Sequence, residues 1–267
     1  MPPSQILLFD QPRSAAQLLR RILSKQSNLQ ILGNTFGPAQ VEWLMGETWA
    51  EGMSNDARSA FDTAIEKGVS TWRLALQDCR DKRNPDPGRP PLRPGTVPVL
   101  AIRDPRLAVP SAYRVLGALG LPRGSGRPNF LISTSTLWVR GAYEAYRARG
   151  GGIEPVVVDA DDLMTQSPEF ARRLCARLGL DPARACLAWD APTAEERGGM
   201  HPAYYASQRF LVESSGVDAS RAGTNRDLEA EMRGWEAEFG EDVGMVREMV
   251  DLAMPHYRYF YERRFTV

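Results

Sequence analysis

Residues 6–23 read ILLFDQPRSAAQLLRRIL, and this stretch indicates the type of fold. Residues 6–9 form a short apolar run, which is typical of a buried central strand. Along residues 15–23 the leucine and isoleucine side chains recur at helical spacing, with Arg20 and Arg21 on the opposite face. The stretch therefore predicts a strand, a tight turn and an amphipathic helix in direct succession.

Two further strands and several helices follow. Residues 97–102 form an apolar run that predicts a second strand, and residues 155–158 predict a third. Pro110 is suited to the first position of a helix. Helices are predicted at residues 110–119, 133–147, 170–178, 228–239 and 245–261. Strands separated by helices indicate a parallel sheet covered on both faces. We therefore predict an α/β fold with a central parallel sheet flanked by helices and a helical C-terminal part, as a single domain over residues 1–267.

The stretch between the first two strands supports further predictions. Residues 30–32 predict a short strand, and residues 41–45 and 57–65 predict helices. Residues 84–98 contain six prolines and must form an extended loop. This loop is either a lid or a connector.

The overall charge excludes some partners. The chain has 33 lysines and arginines against 33 aspartates and glutamates. This balance gives no reason to expect general affinity for nucleic acid or for a membrane surface, so any anion site must be local. No apolar window approaches the length of a membrane span, and we expect a cytoplasmic protein.

Cysteine and histidine are scarce. Cys79, Cys175 and Cys186 lie far apart, which fits neither a disulfide framework nor paired metal ligands. The two histidines, His201 and His256, are too few for a histidine-rich metal centre. We assign no metal site.

The turn at residues 10–17 is the first place where binding chemistry is expected. It joins a strand to a helix, where backbone N–H groups attract an anion, and Arg13 adds a full positive charge. Ser14 either caps the helix or donates to a phosphate oxygen. The turn lacks both the Gly-rich, Lys-containing loop of ATPases and GTPases and the Gly-x-Gly-x-x-Gly of dinucleotide folds. Nucleotide hydrolysis and dehydrogenase chemistry are therefore not expected.

A second pair of residues accompanies the next strand. Arg103 follows the apolar run of that strand, and Ser111 stands at the expected start of the next helix. Arg103 either binds a ligand or pairs with Asp104 or Asp161. Ser111 either binds a ligand or simply lies in the first helical turn.

These segments resemble the sulfotransferase family. The tail, with Ser214, Ser215, Gly216 and residues 235–261, looks more like a fungal branch of sulfotransferase-like proteins. The resemblance rests on residues 12–14, on Arg103 with Ser111, and on residues 156–163 and 178–180. It implies a sulfotransferase-like variant of the P-loop nucleotide-binding fold.

The resemblance also implies a function. The family transfers a sulfuryl group from 3′-phosphoadenylyl sulfate (PAPS) to a hydroxyl or amine, leaving the 3′,5′-bisphosphate PAP. For this chain it implies a small-molecule acceptor from secondary metabolism, held in an apolar pocket. The residues implied on the 5′ side of the donor are Arg13, Ser14, Ala15, Ala16 and Gln17. Those implied at its 3′-phosphate are Arg103 and Ser111.

Three residues are candidates for the transfer chemistry. Arg13 would stabilise the charge that develops on the leaving phosphate. The acceptor hydroxyl needs a general base, for which His201 in a loop and Asp10 beside the turn are candidates. A structural histidine and a turn-forming aspartate are the alternatives. The sequence indicates no oligomeric state.

The chain also departs from the family pattern. The family loop usually has Gly at the position of Ala15 and a hydroxyl residue at Ala16 or Gln17. The fungal branch usually carries a Lys-Glu-His segment where this chain has Val-Ser-Thr-Trp-Arg at residues 69–73. Two other hypotheses therefore stand beside sulfuryl transfer. One is a repurposed enzyme that catalyses a sulfate-independent cyclisation, condensation or elimination, and the other is a ligand-binding module without catalysis.

Overall fold

The computed structural model describes residues 5–10, 12–27, 96–118, 137–148, 154–200 and 202–267. Three strands form one parallel sheet in the order β1 (Gln5–Asp10), β2 (Thr96–Ile102), β3 (Val156–Asp159). Phe9 pairs with Leu100, and Leu100 pairs with Val157. The predicted parallel sheet is confirmed. The strand expected at residues 30–32, the helices expected at 41–45 and 57–65, and residues 84–95 of the proline-rich segment lie outside the described residues.

The helices of the described ranges surround this sheet. They are α1 (Ala16–Ile22), α2 (Pro105–Ala118), α3 (Leu137–Ala148), α4 (Ala160–Thr165), α5 (Ser167–Arg177), α6 (Ala194–Gly198), α7 (Pro202–Val212), α8 (Leu228–Phe239) and α9 (Val243–Tyr261). None of these helices has the length and apolar character that crossing a membrane requires.

Alternate side chains along each strand pack on opposite faces of the sheet, which divides the core into two layers. Val99 packs with α1 and α5 on one face of the sheet, while Leu100 packs with α3 and α9 on the other. Val156 and Val157 repeat the alternation in β3. Successive side chains of a strand point to opposite faces, so runs that are apolar throughout require helices on both sides. This explains why the strand segments read as unbroken apolar runs.

The start of α2 was predicted wrongly. We expected the helix to begin near Pro110, but it begins at Pro105 and contains Pro110. Asp104 supplies the stronger start signal, because its carboxylate accepts from the backbone N–H of Arg106 at 2.8 Å. Pro105 then occupies the first position, where its missing N–H costs nothing. Ser111 consequently lies in the second turn of α2.

The C-terminal part is helical, as predicted. Helix α8 has the expected bounds, and α9 starts two residues before the predicted position. Trp235 and Phe239 of α8 pack against α2 and α9 in a separate apolar cluster. Tyr257 and Phe260 of α9 are buried against the sheet.

Candidate functional site

The loop between β1 and α1 has a strained backbone. Arg13 has a φ of 74° and Ala15 a φ of 63°, which are left-handed conformations that non-glycine residues rarely adopt. Each costs about 1–2 kcal/mol for a residue with a Cβ. Ala15 precedes α1 and makes no side-chain cap. The backbone here has the conformation that favours glycine, although the chain carries alanine.

Ser14 does not cap α1. Its side chain is buried, with 2% exposure, and its Oγ finds no hydrogen-bond partner in the described part of the chain. Leaving a buried hydroxyl unpaired costs roughly 1–3 kcal/mol. Of the two roles predicted for Ser14, the structure excludes capping and leaves its hydroxyl available to a ligand.

Arg13 joins the first loop to two helices. Its Nε donates to Ser111 Oγ on α2 at 2.9 Å, and its Nη1 donates to the backbone carbonyl of Ser207 on α7. Arg13 and Ser111 are 98 residues apart in the sequence and were expected at opposite phosphates of one nucleotide. The structure brings them into direct contact.

Arg103 lies directly after β2 and faces the same loop. Its Nη1 donates to the carbonyl of Arg13 at 3.3 Å, and its Nη2 donates to the carbonyl of Arg221 at 3.1 Å. Its Nε is buried without a partner among the described residues. Asp104 instead pairs with Arg106 at 2.7 Å, so the alternative pairing of Arg103 with Asp104 is wrong.

Four arginines converge at this edge of the sheet: Arg13, Arg103, Arg221 and Arg226. Burial lowers the pKa of Arg103 to about 10, the carboxylate of Asp161 opposes this shift, and the other three arginines add to it. Burial and Arg221 also lower the pKa of Arg13. The part of each pKa shift that comes from neighbouring arginines indicates like charges held close together, an arrangement that favours a bound anion.

Sequence reasoning missed Arg221 and Arg226. Arg221 stacks 3.6 Å from the ring centroid of Phe210, and Arg226 pairs with Glu231 at 2.5 Å. Both arginines come from the segment between α7 and α8, more than 100 residues after β2. No local motif marks them. The hydrogen bond from Arg103 to the carbonyl of Arg221, and the effect of both arginine charges on the pKa of Arg103, associate them with the site.

Unpaired buried polar atoms are concentrated at the same edge. Within the described residues, those that follow the three strands are Ser14 Oγ, Arg103 Nε and Asp161 Oδ1. Native proteins pair most such atoms, so a group of them calls for a specific explanation. Ligands of open parallel sheets bind at the carboxyl ends of the strands, which is where this group lies.

Asp159 is a third residue that the sequence did not reveal. Its carboxylate is 1% exposed, and its Oδ1 accepts from the backbone N–H of Asp161 at 2.8 Å. Burial raises the pKa of Asp159 to about 7, and the nearby carboxylates of Asp161 and Asp162 add to the shift. The group therefore titrates near neutral pH.

The remaining predicted residues are only partly placed. His201 lies outside the described residues, and of Asp10 only the backbone, at the end of β1, is described. Ala16 and Gln17 are the first two residues of α1, and they precede Leu19, whose backbone N–H donates to the carbonyl of Ala15. The backbone N–H groups of Ala16 and Gln17 therefore have no acceptor within the helix. Their binding roles stay predictions.

Two other side chains serve different contacts. Arg114 of α2 pairs with Glu238 of α8 at 2.5 Å on the surface. His256 Nδ1 lies 3.4 Å from Arg140 of α3, and burial together with Arg140 lowers the pKa of His256. Cys175 and Cys186 are buried free thiols.

The class of protein defined by this geometry is an α/β fold with a cationic site at the carboxyl ends of its strands. Two curated proteins are similar in sequence, named Sulfotransferase ppzF from Metarhizium rileyi and from Metarhizium majus. Each is 30% identical over 179 residues, which cover 63% of this chain and 52% of the relative. The chain thus spans about half the length of the curated relatives it matches.

No family model and no solved structure matches the chain. The two relatives are fungal, and they support a sulfotransferase-like family for this chain. The resemblance to sulfotransferases stated from the sequence agrees with the names of these two relatives.

Proposed function

We propose that this chain is a cytoplasmic sulfotransferase-type enzyme that transfers a sulfuryl group from PAPS to a hydroxyl of a small secondary metabolite. The observation that carries the proposal is the hydrogen-bonded cluster of Arg13, Ser111, Arg103 and Arg221 at the carboxyl ends of the strands. The similarity to two proteins named as sulfotransferases supports it.

The residues present fit a nucleotide that carries two phosphates. Ser14 Oγ and Arg103 Nε are buried polar atoms that a phosphate oxygen could satisfy. Arginine suits this task because its planar guanidinium stays charged and donates several hydrogen bonds to phosphate. Arg13 and Ser14 would hold the 5′ side of PAPS, and Arg103 with Ser111 would hold its 3′-phosphate. When bound, PAPS supplies the sulfuryl group and leaves as PAP.

The chemistry requires two further actions from the chain. As the acceptor oxygen bonds to sulfur, the bond between sulfur and the phosphate oxygen breaks, and negative charge grows on that oxygen. Arg13 would stabilise this charge, because it is the guanidinium of the first loop. His201 or Asp10 would take the proton from the acceptor hydroxyl.

A repurposed enzyme is the second candidate function. Ala15 occupies a left-handed position that favours glycine, and Arg13 is held by Ser111 and by the carbonyl of Ser207. Both features make this loop, which we propose to be a degenerate phosphosulfate loop, less free to enclose a phosphosulfate than one with glycine. A sulfate-independent cyclisation, condensation or elimination in the same cleft would fit that loop.

Calorimetric titration with PAP tests the proposal. We expect micromolar binding by the wild type and at least about tenfold weaker binding by Arg103→Ala, which loses a charged hydrogen-bond donor. Arg114→Ala is the matched control, because it removes an arginine that pairs with Glu238 on the surface. Equal losses in both variants would argue against a specific site.

Turnover then separates the candidate functions. PAP binding together with PAPS-dependent sulfation of an acceptor supports the first proposal. Turnover of a metabolite without PAPS, unaffected by Arg103→Ala, supports the repurposed enzyme. PAP binding without any turnover supports a binding module.

A further inference from the structure

Asp161 connects β3 to the segment that carries Arg221. It lies in α4, directly after β3, and its Oδ2 accepts from the backbone N–H of Thr224 at 3.2 Å. Thr224 belongs to a 3-10 turn, Gly223–Asn225, that follows a similar turn, Ala219–Arg221. The carboxylate therefore holds one end of this two-turn segment against the sheet.

The Gly223–Asn225 turn packs closely against Asp161 at Gly223. A Cβ at this position would lie 2.9 Å from Asp161 Oδ2 and 2.9 Å from Leu107 Cδ1. The backbone of the turn thus rests directly on the carboxylate and on α2. Two residues earlier, the carbonyl of Arg221 accepts from Arg103, so a shift of the turn would also shift the arginine cluster.

Asp161 also acts on Arg103 through its charge. Its carboxylate is the charged group that does most to raise the pKa of Arg103 against the effect of burial. In the described part of the chain the two side chains form no ion pair, and Asp161 Oδ1 is buried without a hydrogen-bond partner. An anion bound to Arg103 would lie in the repulsive field of this carboxylate.

We propose that Asp161 is a positioning residue with two separable and opposite effects on anion binding. Its hydrogen bond to Thr224 places Arg221 in the cluster and so favours binding. Its negative charge opposes binding and so prevents the product anion from being held too tightly. The inference rests on the proposed function only in that the cluster binds a phosphate-type anion.

Two substitutions separate the effects. Asp161→Asn keeps an oxygen that accepts from Thr224 but removes the charge, whereas Thr224→Pro keeps the charge but removes the donated hydrogen. With inorganic pyrophosphate as the calorimetric probe, we expect Asp161→Asn to bind about fivefold more tightly than the wild type. We expect Thr224→Pro to bind about fivefold more weakly, because the segment that carries Arg221 loses its hydrogen bond to Asp161. Asp162→Asn is the control, because that neighbouring carboxylate pairs with Arg264 at 2.7 Å and should leave pyrophosphate binding unchanged.

The signs of the two effects decide the outcome. Changes in the same direction for Asp161→Asn and Thr224→Pro would overturn the inference, as would undetectable pyrophosphate binding by both the wild type and Asp161→Asn. Should Thr224→Pro fail to fold, Asp161→Ala replaces it and should bind at least about threefold more weakly than Asp161→Asn. Pyrophosphate is neither a nucleotide nor a sulfuryl donor, so its binding tests only the role of Asp161. Failure of PAP binding or of sulfation would refute the proposed function and would leave the result of the pyrophosphate titration unaffected.

Discussion

Replacing Ala15 by glycine should stabilise the protein, although glycine usually destabilises. Ala15 has a φ of 63° and a ψ of 20°, and relief of this left-handed strain is worth about 1.5 kcal/mol. The greater conformational freedom of glycine in the unfolded chain lowers the free energy of unfolding by about 0.5 kcal/mol. Ala15 also packs partly against Ala160, Met164 and Ala222. Loss of its half-buried methyl group lowers the free energy of unfolding by about 0.4 kcal/mol more. The expected net gain in the free energy of unfolding is about 0.6 kcal/mol.

Ala16→Gly provides the matched control. Ala16 is the first residue of α1 and is buried, so glycine there loses helix propensity and a buried methyl without relieving strain. We expect it to lower the free energy of unfolding by about 1.5 kcal/mol. Urea unfolding of the wild type and both variants measures the two changes. Destabilisation by Ala15→Gly of the size seen for Ala16→Gly would refute the argument that this loop is strained.

Three further predictions concern the polar residues of the site. Ser14→Ala should stabilise the ligand-free protein by about 1 kcal/mol and weaken PAP binding about tenfold, which thermal shifts with and without PAP would show; unchanged PAP affinity would contradict it. Gly223→Ala should cost about 1–3 kcal/mol, because its Cβ would meet Asp161 and Leu107 at 2.9 Å, and a normal urea midpoint would contradict this. The pKa of Asp159 is raised from an ordinary 3.8 to about 7. Between these two pH values the folded state keeps a proton on Asp159, whereas the unfolded state has released it. The free energy of unfolding therefore falls as the pH rises from 3.8 to about 7. Asp159→Asn should therefore gain about 2 kcal/mol relative to the wild type between pH 5 and pH 8 in urea unfolding, and a pH-independent difference would contradict the assignment.

Part of the site could be predicted because it follows directly from the strands. Residues 12–14 come after β1, Arg103 comes after β2 and Asp161 comes after β3. In a parallel sheet these positions must meet at one edge, so recognising three apolar runs is enough to bring the three loops together. The family resemblance depends on the same local motifs, and for that reason it could be stated from the sequence.

Local patterns were not sufficient where two signals competed. Pro110 and Pro105 both suit the start of a helix, and the capping carboxylate of Asp104 decides in favour of Pro105. Ser14 suits both a helix cap and a ligand, and its burial without a cap contact decides between them. Each choice depends on packing around the residue, which the order of residue types does not encode locally.

The α/β class, the two-sided core and the meeting of the loops after β1, β2 and β3 follow from the order of residue types. These features depend on periodicity and on turn residues, which act over a few positions. The folded structure was needed to find that Arg221 and Arg226 complete the cationic cluster and that Asp161 holds the Gly223–Asn225 turn against the sheet. Arg103 and Arg221 are 118 residues apart, and contacts across such a separation depend on how the helices pack and not on any local pattern.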